Sequence, residues 1–507
     1  MTFIHSIISW ANIKRMNQIE LFKKYPGDVQ NEQLLNLVKT AKNTEWGKKY
    51  DYGSIDNGEK FRQNVPVQPY PGFMPFIEKI RQGEQNILWP TEIKWFAKSS
   101  GTTADKSKYI PVSKESLESC HFRGGKDVVA LYTTNFPGQS VFKGKALIIG
   151  GSQQINKYDN QIYYGDLSAV LLENLPIWFQ LFRTPEKKIA LMEEWEEKIE
   201  LMAKNTISEN VTNISGVPSW TLVLIKRILE ITGKSNLHEV WPNLELFIHG
   251  GVSFTPYREQ FNHLTNAEKL NYLETYNASE GFFAIQDLPG NDSMLLMLDY
   301  GIYYEFVPVE NLGTEYPYAL SIDEVELDKN YAMVISTNGG LWRYLIGDTV
   351  KFTSKYPHRI KITGRTKHFI NAFGEELIIE NAETALKVAC ERTGAEIREY
   401  TAAPIYMNEK RNGGHQWLFE FSKMPQSIDL FAEILDNSLK AVNSDYEAKR
   451  YKNISLGFPT IVVAREGLFY NWMKERGRLG GQNKVPRLVN SREFMDRLLE
   501  MNKQSAI

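Results

Sequence analysis

The chain has 507 residues, 42% of them hydrophobic and 24% charged, with a formal net charge of −2. That is globular composition with apolar content for a sizeable core, and the near-zero balance excludes the electrostatic signature of a nucleic-acid binder for the whole molecule. Cys120 and Cys390 stand far apart and outside any CxxC or Cys/His spacing, which argues against zinc or redox work and predicts free, buried thiols in a reducing compartment.

The opening stretch "MTFIHSIISWANIKRMNQIELF" has no basic run ahead of its apolar one, so it does not read as a secretory signal. Ile4, Ile7 and Ile8 share one face of a helix packed on its own domain. No apolar run of about eighteen residues occurs, so no transmembrane span is expected and the protein reads as cytoplasmic. The first ninety or so residues are mainly helical: "NEQLLNLVKTAKN" has helical spacing, and a short helix follows at Pro75–Arg81. A short strand is expected on each side of the polar loop "KSSGTTADKSKYIPVS", residues 98–113.

Between residues 140 and 350 apolar strands alternate with helices. "GKALIIGGS" reads as a buried strand ending in glycines, and "NLELFIHGGVSF" as another. "EKKIALMEEWEEKIELMAKN" reads as one helix, with Met192, Trp195, Ile199 and Met202 on a core stripe. "WTLVLIKRILEITG" is a helix ending on Gly233. "KLNYLETYNASEGFFAIQD" is a strand broken by small residues at Ala278–Gly281. "SMLLMLDYGIYYEFVPVE" and "YAMVISTNGGLWRYLIGDTVKFTS" are strand–turn–strand units. After residue 367 a β/α alternation can bury a core of its own, predicting a large domain over 1–367 and a small one over 368–507. The class is α/β with an added antiparallel part.

Four stretches carry chemistry. In the polar loop, Gly101 allows close backbone approach, Ser99, Ser100, Thr102 and Thr103 offer hydroxyls, and Lys106 and Lys108 supply charge, which suits a polyphosphate. The Walker pattern is absent, and a loop of this kind is also an ordinary polar turn. In "YNASE", Glu280 follows a strand break where a carboxylate can hold Mg²⁺ beside phosphates, or simply be solvated. In "WRYLIGD", Asp348 ends a strand where it can accept hydrogen bonds from both ribose hydroxyls, or serve as a turn residue. "GRLGGQNKVPR" carries Lys484 on a glycine-rich basic segment that can reach another domain, or stand solvated.

In this order, "SSGTTADKSK", "YNASE", "RYLIGD" and "NKVPR", with "VPVQPYPGFMPFIEKIRQGEQNIL" and "ISGVPSW", resemble the acyl acid–amido synthetases, the plant hormone-conjugating enzymes and their bacterial-type relatives, within the adenylate-forming superfamily. The resemblance covers nearly the whole chain. It implies a large N-terminal domain of mixed sheets with a β-barrel-like part, hinged to a small, mobile α+β C-terminal domain. It implies that Ser99, Ser100, Gly101, Thr102, Thr103 and Lys108 hold ATP phosphates, with Gly251, Tyr276, Ser279 and Arg365 also at the nucleotide, Tyr276 near adenine and Asp348 on the ribose. Glu280 would bind Mg²⁺, and Lys484 would swing in from the small domain. One departure is Asp105, where the family loop usually has glycine.

The reaction so implied has two halves: a carboxylate attacks the α-phosphorus of ATP to give acyl-AMP and pyrophosphate, and an amine, such as an amino acid, then takes the acyl group. No enzyme nucleophile is needed, and the sequence has no G-x-S-x-G elbow. The helix "ESLESCHFRGGKDVVALYTTN" is placed to line the acyl pocket; Arg123 and Phe122 are its candidate substrate contacts, with Leu117 and Tyr132 as apolar walls. An ion-paired Arg123 and core packing explain the same residues. His249 either faces the nucleotide or is structural. Two other readings remain open, a thioester-forming ligase and a non-catalytic relative. The protein is taken as a monomer without nucleic-acid or membrane partners.

Overall fold

The computed structural model of the chain describes residues 2–99, 108–150, 155–157, 161–192, 194–252, 254, 257–312, 317–365, 369–407, 412–451, 456–476 and 485–504. Helices Thr2–Lys24 and Pro26–Ala41 form the N-terminal layer, and the short helix Met74–Arg81 falls where the sequence places it. Strands Trp95–Ser99 and Lys108–Val112 pair antiparallel, so the polar loop joins the two arms of a hairpin. None of the described helices is long and apolar enough to cross a membrane.

The dominant element is a mixed sheet in which eleven strands pair in one continuous order. Its parallel half runs through Lys145–Ile148, Val211–Gly216, Leu246–Gly250 and Asn271–Ala278. Its antiparallel half continues through Gly281–Ile285, Met294–Leu296, His358–Arg365, Tyr344–Lys355 and Asn330–Thr337 to Ile302–Pro308. Strand Asn271–Ala278 is the seam, with a parallel neighbour on one side and an antiparallel one on the other. The parallel strands are apolar because helices cover them, notably Pro218–Thr232, whose apolar face packs Leu222, Ile225 and Ile228 into the core beneath. That helix ends as its sequence predicts, with Gly233 at φ +65° closing the last turn on the Leu229 carbonyl.

The outer strand Ile302–Pro308 does not expose its free edge. The buried Gln30 side chain donates to the carbonyls of Leu298 (2.8 Å) and Ile302 (2.9 Å) and accepts from the Tyr304 N–H (2.8 Å). Two residues on, Phe306 exchanges backbone bonds with Leu320.

Residues 187–206 differ from expectation. The single helix predicted there is two, Lys187–Ala190 and Trp195–Thr206, with Glu194 extended between them (φ −70°, ψ 107°). Tertiary packing overrides a continuous helical preference: the second segment buries Ile199 and Met202 and carries the wholly buried Lys198, whose Nζ donates to the Gly150 carbonyl at 3.2 Å. Met192 is left only half-buried.

Beyond residue 368 the described chain builds a three-stranded sheet from Glu396–Ile405, Gly414–Lys423 and Thr460–Val463, covered by helices Ile379–Thr393 and Ile428–Val442. Its two apolar clusters draw only on residues 370 and later. Helices Ser444–Arg450, Leu468–Glu475 and Glu493–Gln504 were not anticipated from the sequence.

Candidate active site

A cavity of about 2090 Å³ opens at the strand ends near the seam. Ser279 and Glu280 form its most pointed feature. Ala278 pairs with Gly281, so these two residues are the whole turn of a hairpin. Gly281 is required by close approach: a Cβ there would lie 2.7 Å from Ile302 Cδ1. The next residue, Phe282, donates its N–H to Cys120 Sγ at 3.1 Å, which ties the hairpin to the π-helical turn Ser116–His121. Burial raises the Cys120 thiol to about 12, so this sulfur is a packing group and not a nucleophile.

Asp348 enters the cavity from the neighbouring antiparallel strands. Gly347 takes φ +99° inside strand Tyr344–Lys355, where the pairing with Asn330–Thr337 skips register between Ala332 and Val334. The bulge turns the Asp348 carboxylate inward. Tyr276 on the seam strand donates its hydroxyl to Asp348 Oδ2 at 2.6 Å, and both residues are buried. In the register of the next strand Arg365 stands opposite Asp348.

A second brace runs beside the first. Lys108 Nζ donates to the Tyr344 hydroxyl at 3.2 Å, and that hydroxyl donates to Glu280 Oε1 at 3.2 Å. Tyr344 is itself fixed by its neighbour: Arg343, at φ +43°, forks onto Glu305 through Nε (2.8 Å) and Nη2 (3.0 Å) in the core. A cation, a phenol and a carboxylate thus meet at the hairpin tip, and a carboxylate–phenol pair stands one strand away.

Of the residues singled out in the sequence, Glu280, Ser279, Tyr276, Asp348, Lys108, Gly251 and Phe122 all line this one cavity. Gly251 does so at φ +82°, directly after the strand Leu246–Gly250. Ser99 ends its strand at the mouth of the polar loop. Ser100, Gly101, Thr102, Thr103, Asp105, Lys106 and Lys484 lie outside the described residues.

Three expectations are corrected. Arg123 does not line the cavity: its Nη1 donates to the Asp299 carbonyl at 3.1 Å, with the Asp299 carboxylate at 3.9 Å, because successive helix positions point to different sides, and Phe122 lines the cavity where Arg123 does not. Leu117 and Tyr132 are core residues of the large cluster and line no part of the cavity. Cys390 is half-buried where a buried thiol was expected.

His249 is buried in the cavity wall and stacks on Phe254 with ring centres 4.2 Å apart. Desolvation, with the nearby Arg258 guanidinium, pushes its pKa down to about 3. Burial likewise lowers His121, another lining residue, to about 4. Both rings are neutral bodies in the wall at ordinary pH. The broader wall is apolar, with Val129, Phe136, Leu171 and Leu172 beside Phe122. Sequence reasoning missed Tyr344, although it stands inside a stretch singled out for Asp348. It gave no role to Trp220, although that residue ends the quoted stretch "ISGVPSW", and it missed Lys449 and Asp445, whose place in the lining has no local signature. No group of three His, Cys, Asp or Glu side chains suited to a metal ion occurs among the described residues. The Tyr276–Asp348 and Lys108–Tyr344–Glu280 contacts make this a site of braced binding groups, suited to holding and polarising a polar ligand.

With this geometry in hand, the chain compares as follows with known proteins. Family profiles described as the GH3 family N-terminal, central and C-terminal domains match residues 15–270, 295–365 and 380–493. An indole-3-acetic acid-amido synthetase of Arabidopsis thaliana, GH3.3, is 23% identical over 97% of this chain and 94% of its own. The structure titled AtGH3.15 acyl acid amido synthetase in complex with 2,4-DB superposes with a TM-score of 0.62 at 19% identity, covering 96% of this chain and 95% of that one. A 2-hydroxyisobutyryl-CoA ligase, solved with 2-HIB-AMP and CoA, gives 0.57 at 12% identity over 94% and 92%. These likenesses give the fold of the adenylate-forming enzymes.

Proposed function

The chain belongs to the GH3 family, and from that premise we propose that it is an ATP-dependent acyl acid–amido synthetase. A carboxylate oxygen attacks the α-phosphorus of ATP, the bond to the bridging oxygen breaks, and pyrophosphate leaves. The amine nitrogen of an amino acid then attacks the acyl carbon, loses its proton, and AMP departs with the bonding pair. The observation that carries this reading is the convergence of the two braces, Tyr276–Asp348 and Lys108–Tyr344–Glu280, on one cavity with an apolar wall. Catalysis is then positioning and charge stabilisation, with no covalent enzyme intermediate.

Each residue has a place in this scheme. Asp348, held by the Tyr276 hydroxyl, takes the ribose hydroxyls. Lys108 faces phosphate oxygens, together with the loop Ser99, Ser100, Gly101, Thr102 and Thr103. Arg365 and Gly251 border the nucleotide. Phe122 and its neighbours hold the acyl body. Mg²⁺ fits the donor set: the Glu280 carboxylate, with no metal-binding group of three such side chains among the described residues, matches an ion bound mainly by phosphate oxygens and water, and when bound the ion offsets charge on the phosphates. Residues 368–507, with apolar clusters of their own, act as a domain that turns over the site and brings Lys484 to the α-phosphate. The protein works as a cytoplasmic monomer.

The test is pyrophosphate release with Mg²⁺-ATP across aryl and aliphatic carboxylic acids. Each acid is run alone, with pooled amino acids and with coenzyme A. The expected result is release that rises with amino acids, with an amide detected by mass. Stimulation by coenzyme A in place of amino acids overturns the amide assignment.

A further inference from the structure

At about 2090 Å³ the cavity exceeds the roughly 300–1,000 Å³ of an ordinary small-ligand site. Part of the surplus runs over the parallel half of the sheet. Gly144, Ala146 and Ile148 all line the cavity, and these alternate positions share one face of strand Lys145–Ile148. Asn213 and Ser215 stand beside Ala146 and Ile148 in register and line it too, with the Asn213 amide turned onto the Thr212 hydroxyl at 3.3 Å. Leu147, on the other face of the strand, belongs to the core beneath. The open face thus follows the strand from Gly150 at its carboxyl end, where the chemistry sits, back to Gly144 at its start, about 20 Å at 3.3 Å per residue.

Helix Phe122–Asn135 gives an independent measure of the same length. Phe122, Val129 and, just past its end, Phe136 line the cavity, a span of about 21 Å at 1.5 Å per residue. The Phe122 end is tied to the hairpin of Glu280, because the neighbouring Cys120 accepts from the Phe282 N–H. The Phe136 end lies by the starts of the parallel strands, because the Ser140 N–H donates to Glu245, the residue before strand Leu246–Gly250. Gly125 keeps the helix face clear between them: a Cβ there would meet nothing within 4 Å. Leu167, Leu171 and Leu175, four residues apart, add to the wall from helix Leu167–Asn174 and its cap. Phe122, Val129, Phe136 and these three leucines are all only half-buried, so each keeps apolar surface turned to the cavity. At the far end Phe142 and Phe182 line the cavity while 42% and 51% exposed, so the groove reaches water beside two phenyl rings. Phe142 precedes Gly144 by two residues, and Phe182 precedes Arg183, the register partner of Ala146.

We propose that the acid this chain activates is a long-chain aliphatic one, with its carboxylate by Phe122 and Gly150, its tail along the groove and its methyl end at the Phe142 and Phe182 rings. The inference rests on the adenylating half of the reaction proposed above. Each carbon advances an extended chain by less than one C–C bond of about 1.5 Å, so a groove of about 20 Å takes on the order of 14 carbons or more. A benzoate-sized acid held at Phe122 would leave the wall from Val129 to Phe182 against water, and apolar surface of that extent is covered at a gain by an apolar chain. The product of such an acid is an N-acyl amino acid with a surface-active tail, and the opening lets the longest tails protrude in place of being refused.

The test is a chain-length series. Unbranched acids from C4 to C16, kept below their micelle concentrations, are compared with benzoate and phenylacetate, and hydroxylamine traps each acyl-AMP as its hydroxamate. The expected result is a kcat/KM that rises by up to about fourfold per added CH₂ and levels off near C14. Ala146→Phe puts a ring into the middle of the groove and should lower the ratio of kcat/KM for C12 to that for C6 at least tenfold. Phe182→Asp sets a charge at the opening, on a side chain exposed enough for the fold to tolerate it, and should penalise C14 and C16 while sparing C6. Melting curves verify that both variants fold, and the second keeps the proposal open to refutation if the first does not. A maximum at C4–C6 or with benzoate, or length ratios unchanged in the folded variants, overturns the groove and leaves adenylation standing. A length-dependent series whose acyl group passes to coenzyme A and not to amino acids supports the groove and overturns only the amide half. Failure to form hydroxamate from any acid overturns the adenylating reading and the inference with it.

Discussion

Replacing His249 by glutamine removes the most strongly shifted histidine of the cavity wall. The ring is 3% exposed, and burial with the Arg258 charge takes its pKa from the ordinary 6.5 to about 3. Charging it in place therefore costs on the order of 5 kcal/mol. In the unfolded chain the same ring titrates normally. Between pH 6.5 and 3 the unfolded state holds a proton that the folded state refuses, so the contribution is present above pH 6.5 and is lost as pH falls. At pH 5 the loss amounts to about 2 kcal/mol. His249→Gln has no such loss, so relative to the unsubstituted protein it should gain about 2 kcal/mol between pH 7.5 and pH 5, read as about 2–3 °C in the difference of Tm. NMR of histidine-labelled protein supplies the site-specific reading: the resonance absent in His249→Gln should still report a neutral ring at pH 5. A midpoint near 6.5 for that resonance, with a Tm difference independent of pH, would refute the account of a dry wall. The same reasoning holds His121 neutral, so the pH–rate profile above pH 6 should follow the acceptor amine and not the wall.

Tyr344→Phe removes the hydroxyl shared by Lys108 and Glu280, and for a bond to charged groups the loss of about 1.5–3 kcal/mol should raise the KM for Mg²⁺-ATP roughly 10- to 150-fold; an unchanged KM would separate the brace from nucleotide binding. Gly124→Ala drives a methyl group to within 2.5 Å of the Phe282 ring, so overpacking of about 1–3 kcal/mol should lower Tm and disturb the adjoining Glu280 turn; a variant with normal melting and turnover contradicts the close packing. Lys484→Ala should cut pyrophosphate release by about 100-fold or more while ATP still binds, as measured by calorimetry, and an unimpaired variant removes that lysine from the mechanism.

The elements of the large sheet were legible because their apolar runs are long and end on glycines that the chain needs. Gly251 at φ +82°, after Leu246–Gly250, is such an end, and Gly233 at φ +65° closes the covering helix in the same way. The break in residues 187–206 was not legible, because it follows from where Lys198 and Ile199 are buried and not from local preference. Within the site, Glu280 and Asp348 could be read because each sits beside a backbone feature that leaves a trace, a two-residue turn and a Gly-Asp bulge. Tyr344 and Lys449 leave none. A tyrosine in a strand and a lysine in "SDYEAKR" are ordinary residues until the fold sets one between Lys108 and Glu280 and the other over an indole. Arg123 shows the converse: a charged residue on the correct helix faces the wrong way, since neighbouring helix positions diverge by about 100°.

Gln30 has a bearing on how this chain avoids sticking to itself. A long mixed sheet ends in a strand whose backbone would otherwise recruit another strand, and a single amide from the N-terminal helical layer occupies those bonds at Leu298, Ile302 and Tyr304. The early helices thus act as a guard against fibre-like stacking, while Asn12 of the first also reaches the cavity. A trimmed version beginning after residue 41 would keep every residue of the cavity drawn from the large sheet, yet bare the row of amides and carbonyls that Gln30 covers. It would also strip Ile19, Phe22, Leu34 and Ala41 from the core, so it should melt lower as well as self-associate.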